Sequence, residues 1–242
     1  MDNIKRIKIL SSLEKIYDSD KMPTGEYKGF SMLKNEKKSF QLAIEADDDC
    51  KVDLVYESTV KDIRIYTVEH IRSDFPMWKK GADDYYRFSE SGYYPDLLLP
   101  LNGKLNIKKG ITVLWFEVDA AKSEASNHRI DLTVGEKKAS IDIEIIDAEL
   151  DFRDFVYTCW FHTDCLMSYY KFDAFSDEYW RVTENFLKTA AEYGMNCVLT
   201  PIFTPPLDTP VGKERLTVQL VKVIKENGSY SFDFSLMKRF IK

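Results

Sequence analysis

Three side chains of useful chemistry stand at alternate positions, Trp160, His162 and Asp164. They close the apolar run Phe155-Val156-Tyr157-Thr158-Cys159-Trp160-Phe161. A carboxylate accepts hydrogen bonds from hydroxyl groups, an imidazole donates or accepts them, and an indole offers a flat apolar face. Together they suit a ligand with many hydroxyls and apolar C–H faces, such as a sugar. Each also has a plainer reading, with His162 as a satisfied rim histidine and Trp160 as a core filler. Residue types alone do not decide between them. A second apolar run, Asn196-Cys197-Val198-Leu199-Thr200, is followed by Thr204 and Asp208. Arg215 lies further on, where it can reach a ligand or pair with Asp208 or Glu214, and pairing is the favoured role. One adjacent Asp-Glu occurs, Asp177-Glu178. It follows Ser176, so both carboxylates read as helix N-terminal residues next to a cap, stabilised by the positive helix end.

These residues need elements to hold them. From about residue 35 to 148 the pattern has period two. Phe40, Leu42, Ile44 and Ala46 alternate with Gln41 and Glu45, and Val52, Leu54 and Tyr56 repeat the pattern. Ile130, Leu132 and Val134 do the same, as do Ile141, Ile143 and Ile145 against Asp142 and Glu144. Short alternating runs with polar turns between them are strands with one face in water. The spacing predicts an antiparallel β-sandwich of about seven to nine strands over residues 1–149. A segment from Ile71 to Gly110 interrupts it with Phe75, Trp78, Tyr85, Tyr86, Phe88, Tyr93 and Tyr94, plus three prolines. A loop that long is functional or packs on a neighbour, and docking is the favoured reading.

After residue 149 the pattern changes. The two unbroken apolar runs read as strands covered on both faces. Between them Ser176 caps a helix whose apolar face carries Tyr179, Val182, Phe186, Leu187 and Ala190, with Gly194 as its stop. Strand, helix, strand is a right-handed βαβ unit. Leu216–Val221 and Ser229–Phe232 are expected to form a hairpin around Asn227-Gly228, and Ser235 opens a last helix. The expected fold is a β-sandwich followed by an α/β segment resembling the first two units of a (β/α)8 barrel. Two units cannot close such a barrel, which needs eight strands. The barrel is therefore expected to be incomplete within residues 150–242.

Composition excludes several classes. The net charge is -6 and the lysine-rich stretches Lys34–Lys38 and Lys108-Lys109 are short, which argues against a nucleic-acid surface. No run approaches the ~20 apolar residues of a membrane span, and no signal sequence follows Met1, so a cytoplasmic location is expected. Cys50, Cys159, Cys165 and Cys197 form no CxxC pair, and no HExxH spacing exists, so neither a metal nor another cofactor is expected. Cys159 and Cys197 sit in the apolar runs and read as small buried hydrophobes.

Several segments, taken in order, resemble the family 123 glycoside hydrolases. Gly92-Tyr93-Tyr94-Pro95-Asp96-Leu97-Leu98-Leu99-Pro100 resembles the YPDPLLP stretch of that family's N-terminal sandwich, with Leu97 or Leu98 in place of the middle proline. Trp160-Phe161-His162-Thr163-Asp164 is similar to the end of the first barrel strand. Leu199 to Thr209 resembles the second strand and its loop, and Thr217–Val221 with Tyr230–Phe234 the hairpin that follows. The resemblance spans about residues 35 to 242. It implies hydrolysis of a terminal β-linked N-acetylgalactosamine, in which the substrate's own acetamido oxygen attacks the anomeric carbon. An Asp-Glu pair at the end of a later barrel strand does the acid/base work in such enzymes, and no residue here matches it. The implied role of this chain is part of the sugar-binding wall, with Trp160, His162, Asp164, Thr204, Asp208 and Arg215 as substrate contacts. Its implied partner is an N-acetylhexosaminide glycan, and the oligomeric state stays open. Without the acid/base pair the chain is expected to be inactive on its own. The alternative function is a non-catalytic carbohydrate-binding or adhesion module built on the sandwich.

Overall fold

Alternation between Phe40 and Ala46 produces the expected strand, and its neighbours pair with it in a computed structural model. The structure describes residues 3–17, 20–74, 90–150, 155–204, 209 and 211–242. The chain divides into two compact units, Met1–Leu150 and Asp151–Lys242.

In the first unit, five strands form one sheet in the order β1 (Ile4–Ser11), β3 (Lys37–Ala46), β9 (Gly110–Asp119), β6 (Asp62–Ser73) and β7 (Gly92–Pro100). Four form a second sheet, ordered β2 (Gly29–Leu33), β11 (Lys137–Ile146), β10 (Asn127–Val134) and β5 (Leu54–Ser58). A short ladder joins β4 (Cys50–Val52) to β8 (Leu105–Ile107). All pairings are antiparallel except β2 with β11. Leu42, Ile44, Leu114 and Phe116 from the first sheet share one buried cluster with Met32, Ile130, Leu132 and Ile143 from the second. Two sheets closing on one core make a sandwich.

The parallel β2–β11 pair depends on a glycine. A Cβ built on Gly29 would stand 2.4 Å from the backbone carbonyl oxygen of Asp142. That oxygen cannot swing away without breaking the ladder. Gly29→Ala is therefore expected to destabilise the first unit by about 1–3 kcal/mol, read as a lower denaturant midpoint. An unchanged midpoint would show that β2 is free to move.

Two expectations for this unit need correction. The second face of β3 is not wet, because the segment after β1 lies across it. Ile16 and Met22 pack with Leu10, Ala43 and Val113. Gln41 is buried there, and its Nε2 donates to the carbonyls of Ser11 at 2.9 Å and Glu14 at 2.6 Å. A polar side chain can mark a covered face when backbone carbonyls satisfy it. The long insertion is also shorter than expected. Ile71–Ser73 continue β6, and Gly92–Pro100 form β7, paired from Ser73↔Gly92 to Tyr66↔Pro100. Pro95 and Pro100 are tolerated because β7 is an edge strand. Trp78, Tyr85, Tyr86, Phe75 and Phe88 lie outside the described residues.

The second unit holds α1 (Thr163–Tyr170), α2 (Asp177–Glu192), a hairpin of β12 (Lys222–Glu226) with β13 (Ser229–Asp233), and α3 (Ser235–Ile241). Ser176 caps α2 by accepting a hydrogen bond from the Tyr179 amide, and Gly194 follows its end at φ 96°. Asn227 and Gly228 supply the hairpin turn at φ 48° and 82°. The first arm of that hairpin differs from the expected one. Residues 216–221 lie instead against 201–202, where the Leu220 and Val221 amides donate to the carbonyls of Pro201 and Ile202. The two βα-barrel strands are corrected more sharply. Residues 155–161 and 196–200 form no ladder, and most of their side chains are exposed. They are linked by the Tyr157 carbonyl, which accepts from the Asn196 and Cys197 amides, and by the Asn196 side chain, which accepts from the Tyr157 amide and donates to the Phe155 carbonyl. Two segments joined at these few groups, with no flanking strand among the described residues, lack the ladder partners a buried strand requires. Cys159 and Cys197 are correspondingly exposed rather than buried. Among the described residues no helix is long and apolar enough to cross a membrane.

Candidate functional site

The second unit is built around Tyr179, a fully buried side chain on the first turn of α2. Its ring packs with Met167 of α1 and with Val218, and Phe172, Phe175 and Trp180 surround it. The phenol oxygen lies 2.9 Å from Thr163 Oγ1, at the start of α1. Burial pushes the Tyr179 phenol above its ordinary range, and the Thr163 hydrogen bond offsets part of that shift. This bond ties α1 to α2 and so fixes the residue that follows Thr163.

That residue is Asp164, which is buried although charged. Arg215 grips it with two hydrogen bonds, Nε to Oδ2 at 2.7 Å and Nη2 to Oδ1 at 3.0 Å. Both side chains are 11% exposed. The fork matches a carboxylate in geometry and charge, which suits Arg and not Lys for this position. The pair forms one wall of a pocket of about 520 Å³, completed by Cys165, Ser168, Tyr169, Thr209, Glu214 and Leu216. Tyr169 leans edge-on to Tyr170 at 4.9 Å.

The six residues singled out by sequence fare differently. Asp164 and Arg215 come together, although pairing of Arg215 with Asp208 or Glu214 was the expected arrangement. His162 is the N-cap residue of α1 without a capping side-chain bond, and its ring stands edge-on to Trp160 at 6.4 Å. Trp160 is 68% exposed, so it is not a core filler here. Thr204 Oγ1 lies 2.8 Å from Thr217 Oγ1. None of Trp160, His162 and Thr204 lines the Asp164 pocket. Asp208 lies outside the described residues. Asp177 and Glu178 occupy the first turn of α2, exposed, as the cap pattern predicts. Tyr169 and Ser168 were missed. Ser168 lies four positions after Asp164 and Tyr169 four after Cys165 along α1, the signal that puts each pair on one helix face. Among the described residues no group of three or more His, Cys, Asp or Glu could hold a metal ion.

Residues 160–242 match the family model described as glycoside hydrolase 123, catalytic domain. Residues 160–242 are similar to the catalytic domain of family 123 glycoside hydrolases. The match opens at Trp160 and contains every residue of the Asp164–Arg215 pocket. A solved structure has the same fold over nearly all of the chain. It comes from the structural analysis of a family 123 glycoside hydrolase from Clostridium perfringens, concerned with glycolipid glycan hydrolysis. It superposes with a TM-score of 0.72 at 16% identity, covering 97% of this chain and 44% of its own. The chain thus spans less than half the length of that relative. No sequence among curated proteins matches the chain.

Proposed function

We propose that residues 160–242 form part of the sugar-binding wall of a glycoside hydrolase acting on terminal β-linked N-acetylgalactosamine. The observation that carries the reading is the catalytic-domain match, which starts at Trp160 and encloses the buried Asp164–Arg215 pair. A carboxylate held by a bidentate arginine at the edge of a pocket has its direction fixed before a ligand arrives. Preorganised acceptors of this kind favour sugar hydroxyls because little reorganisation is needed on binding. Trp160 offers its exposed ring as a stacking face, His162 beside it supplies a hydrogen bond, and Thr204 and Asp208 contribute from the second segment.

The chemistry in this reading is substrate-assisted. The acetamido oxygen of the sugar attacks the anomeric carbon as the glycosidic bond breaks and the aglycone leaves with a proton from the acid, and water that gives its proton to the base then attacks the same carbon and opens the resulting oxazoline ring, with net retention. An Asp to orient the acetamido group and a Glu to act as acid and then base are required. Asp177-Glu178 does not supply them, since both carboxylates sit exposed on a helix end. In this reading the described residues supply substrate contacts, and the acid/base pair is not among them. N-acetylgalactosamine titrated into the protein is expected to bind weakly and to quench tryptophan fluorescence, with the quench lost in Trp160→Ala. An aryl N-acetyl-β-galactosaminide is expected to be left intact. Turnover of that substrate by the 242-residue chain would sink the claim that it has no acid/base pair.

A further inference from the structure

We propose that the outer face of the five-stranded sheet carries a second carbohydrate-binding groove, which takes a short neutral oligosaccharide against Tyr93. The ligand class rests on the carbohydrate reading above, and the groove itself lies wholly within the first unit. It measures about 410 Å³, within the ~300–1,000 Å³ of small-molecule sites.

Its walls have the chemistry that hydroxyl-rich ligands need. A sugar hydroxyl both donates and accepts, so its site must offer both roles. Glu69 accepts, Lys108 donates, and Asn106 and Thr112 do either. Thr112 Oγ1 already accepts from the Lys108 amide at 3.2 Å, which holds the turn before β9 against the groove. Glu69 faces Lys108 and Lys109, so both signs of charge line the site. The Glu69 carboxylate is a like charge that an anionic ligand would have to approach in this lining.

Tyr93 gives the groove its apolar surface. The residue is 55% exposed on an edge strand, so its ring is open to solvent beside the groove. Its ring is held in place. The Arg72 guanidinium lies 6.0 Å from the ring centroid and is itself bound to Asp74 at 2.6 Å. The floor is packed as well, since Ile16 and Val113 belong to one buried cluster and the partly buried Val68 packs against it. The same three residues line a neighbouring pocket of about 200 Å³ that reaches Trp115 and Leu98. Two adjoining pockets on a shared floor suit a chain of sugars better than a single ring.

The test is calorimetry on the full chain with chitotetraose and cellotetraose as neutral probes and 3′-sialyllactose as the charged control. At least one tetrasaccharide should bind. Tyr93→Ala and Glu69→Gln should each weaken it ~tenfold or more, with far-UV circular dichroism unchanged, while Val55→Ala on the other sheet leaves the affinity as it was. Failure of both tetrasaccharides to bind overturns the proposal, and so does binding confined to 3′-sialyllactose. Affinity that survives both groove variants but is lost in Trp160→Ala sinks the groove and leaves the reading of residues 160–242 standing. Groove-dependent binding without any N-acetylgalactosamine response sinks that reading alone.

Discussion

Phe116→Ala is expected to cost the first unit about 3–5 kcal/mol. Phe116 is fully buried on β9, the middle strand of its sheet. It pairs with Phe40 on one side and Ile65 on the other. The Phe40 and Phe116 rings stack at 4.8 Å and 13°. Truncation removes the buried ring, the ring–ring contact and the surface that Leu132 and Ile141 of the opposite sheet help to enclose. Strands of a sandwich cannot close into the gap without breaking ladders on both sides of β9, so the cavity term stays large. Natural domains have only ~5–15 kcal/mol in hand, and the variant should be partly unfolded at ordinary temperature. Denaturant unfolding followed by far-UV circular dichroism reads the loss. Val55→Ala on the edge strand β5, where Val55 is exposed, is the control and should change stability by less than ~0.5 kcal/mol. If Phe116→Ala and Val55→Ala give the same midpoint, the shared core described above is wrong.

The control also marks how far the sequence could be read. Alternation from Phe40 to Ala46, and from Ile130 to Ile145, was enough to place the core strands, because period two reports directly which side chains enter a sandwich. Gln41 shows the limit. Its face is covered by Ile16 and Met22, which follow no periodicity, and only the carbonyls of Ser11 and Glu14 explain why an amide is buried there. Runs 155–161 and 196–200 fail for a related reason. An unbroken apolar stretch states that a strand would be covered, but the covering layer is a long-range fact that composition does not contain. In the second unit local signals fared best. Ser176, Gly194 and Asn227-Gly228 each act through their own backbone, and each stands where expected. Arg215 was recognised as a residue with a partner, yet the partner lies 51 positions away on α1 and not among its neighbours in sequence.

That distant pairing carries the second large effect. Arg215→Leu alone should destabilise the second unit by up to ~3–5 kcal/mol, because it strands the Asp164 carboxylate at 11% exposure. Asp164→Leu should cost a comparable amount by stranding the guanidinium. The double variant should be markedly less damaging than the sum, since replacing both partners with apolar side chains removes the desolvation cost along with the attraction. Coupling of ~0.5–3 kcal/mol is the expected size for residues in direct contact. Hydrogen exchange of the α1 and α2 amides is the suitable measurement, because it reads the second unit apart from the sandwich. Additive losses would mean that the pair is open to water in solution and contributes little. Sugar binding then separates structure from function. If Asp164 and Arg215 only brace α1, the double variant should keep the N-acetylgalactosamine response once it is folded. If Asp164 accepts a sugar hydroxyl, the response disappears in the double variant even though its exchange protection returns.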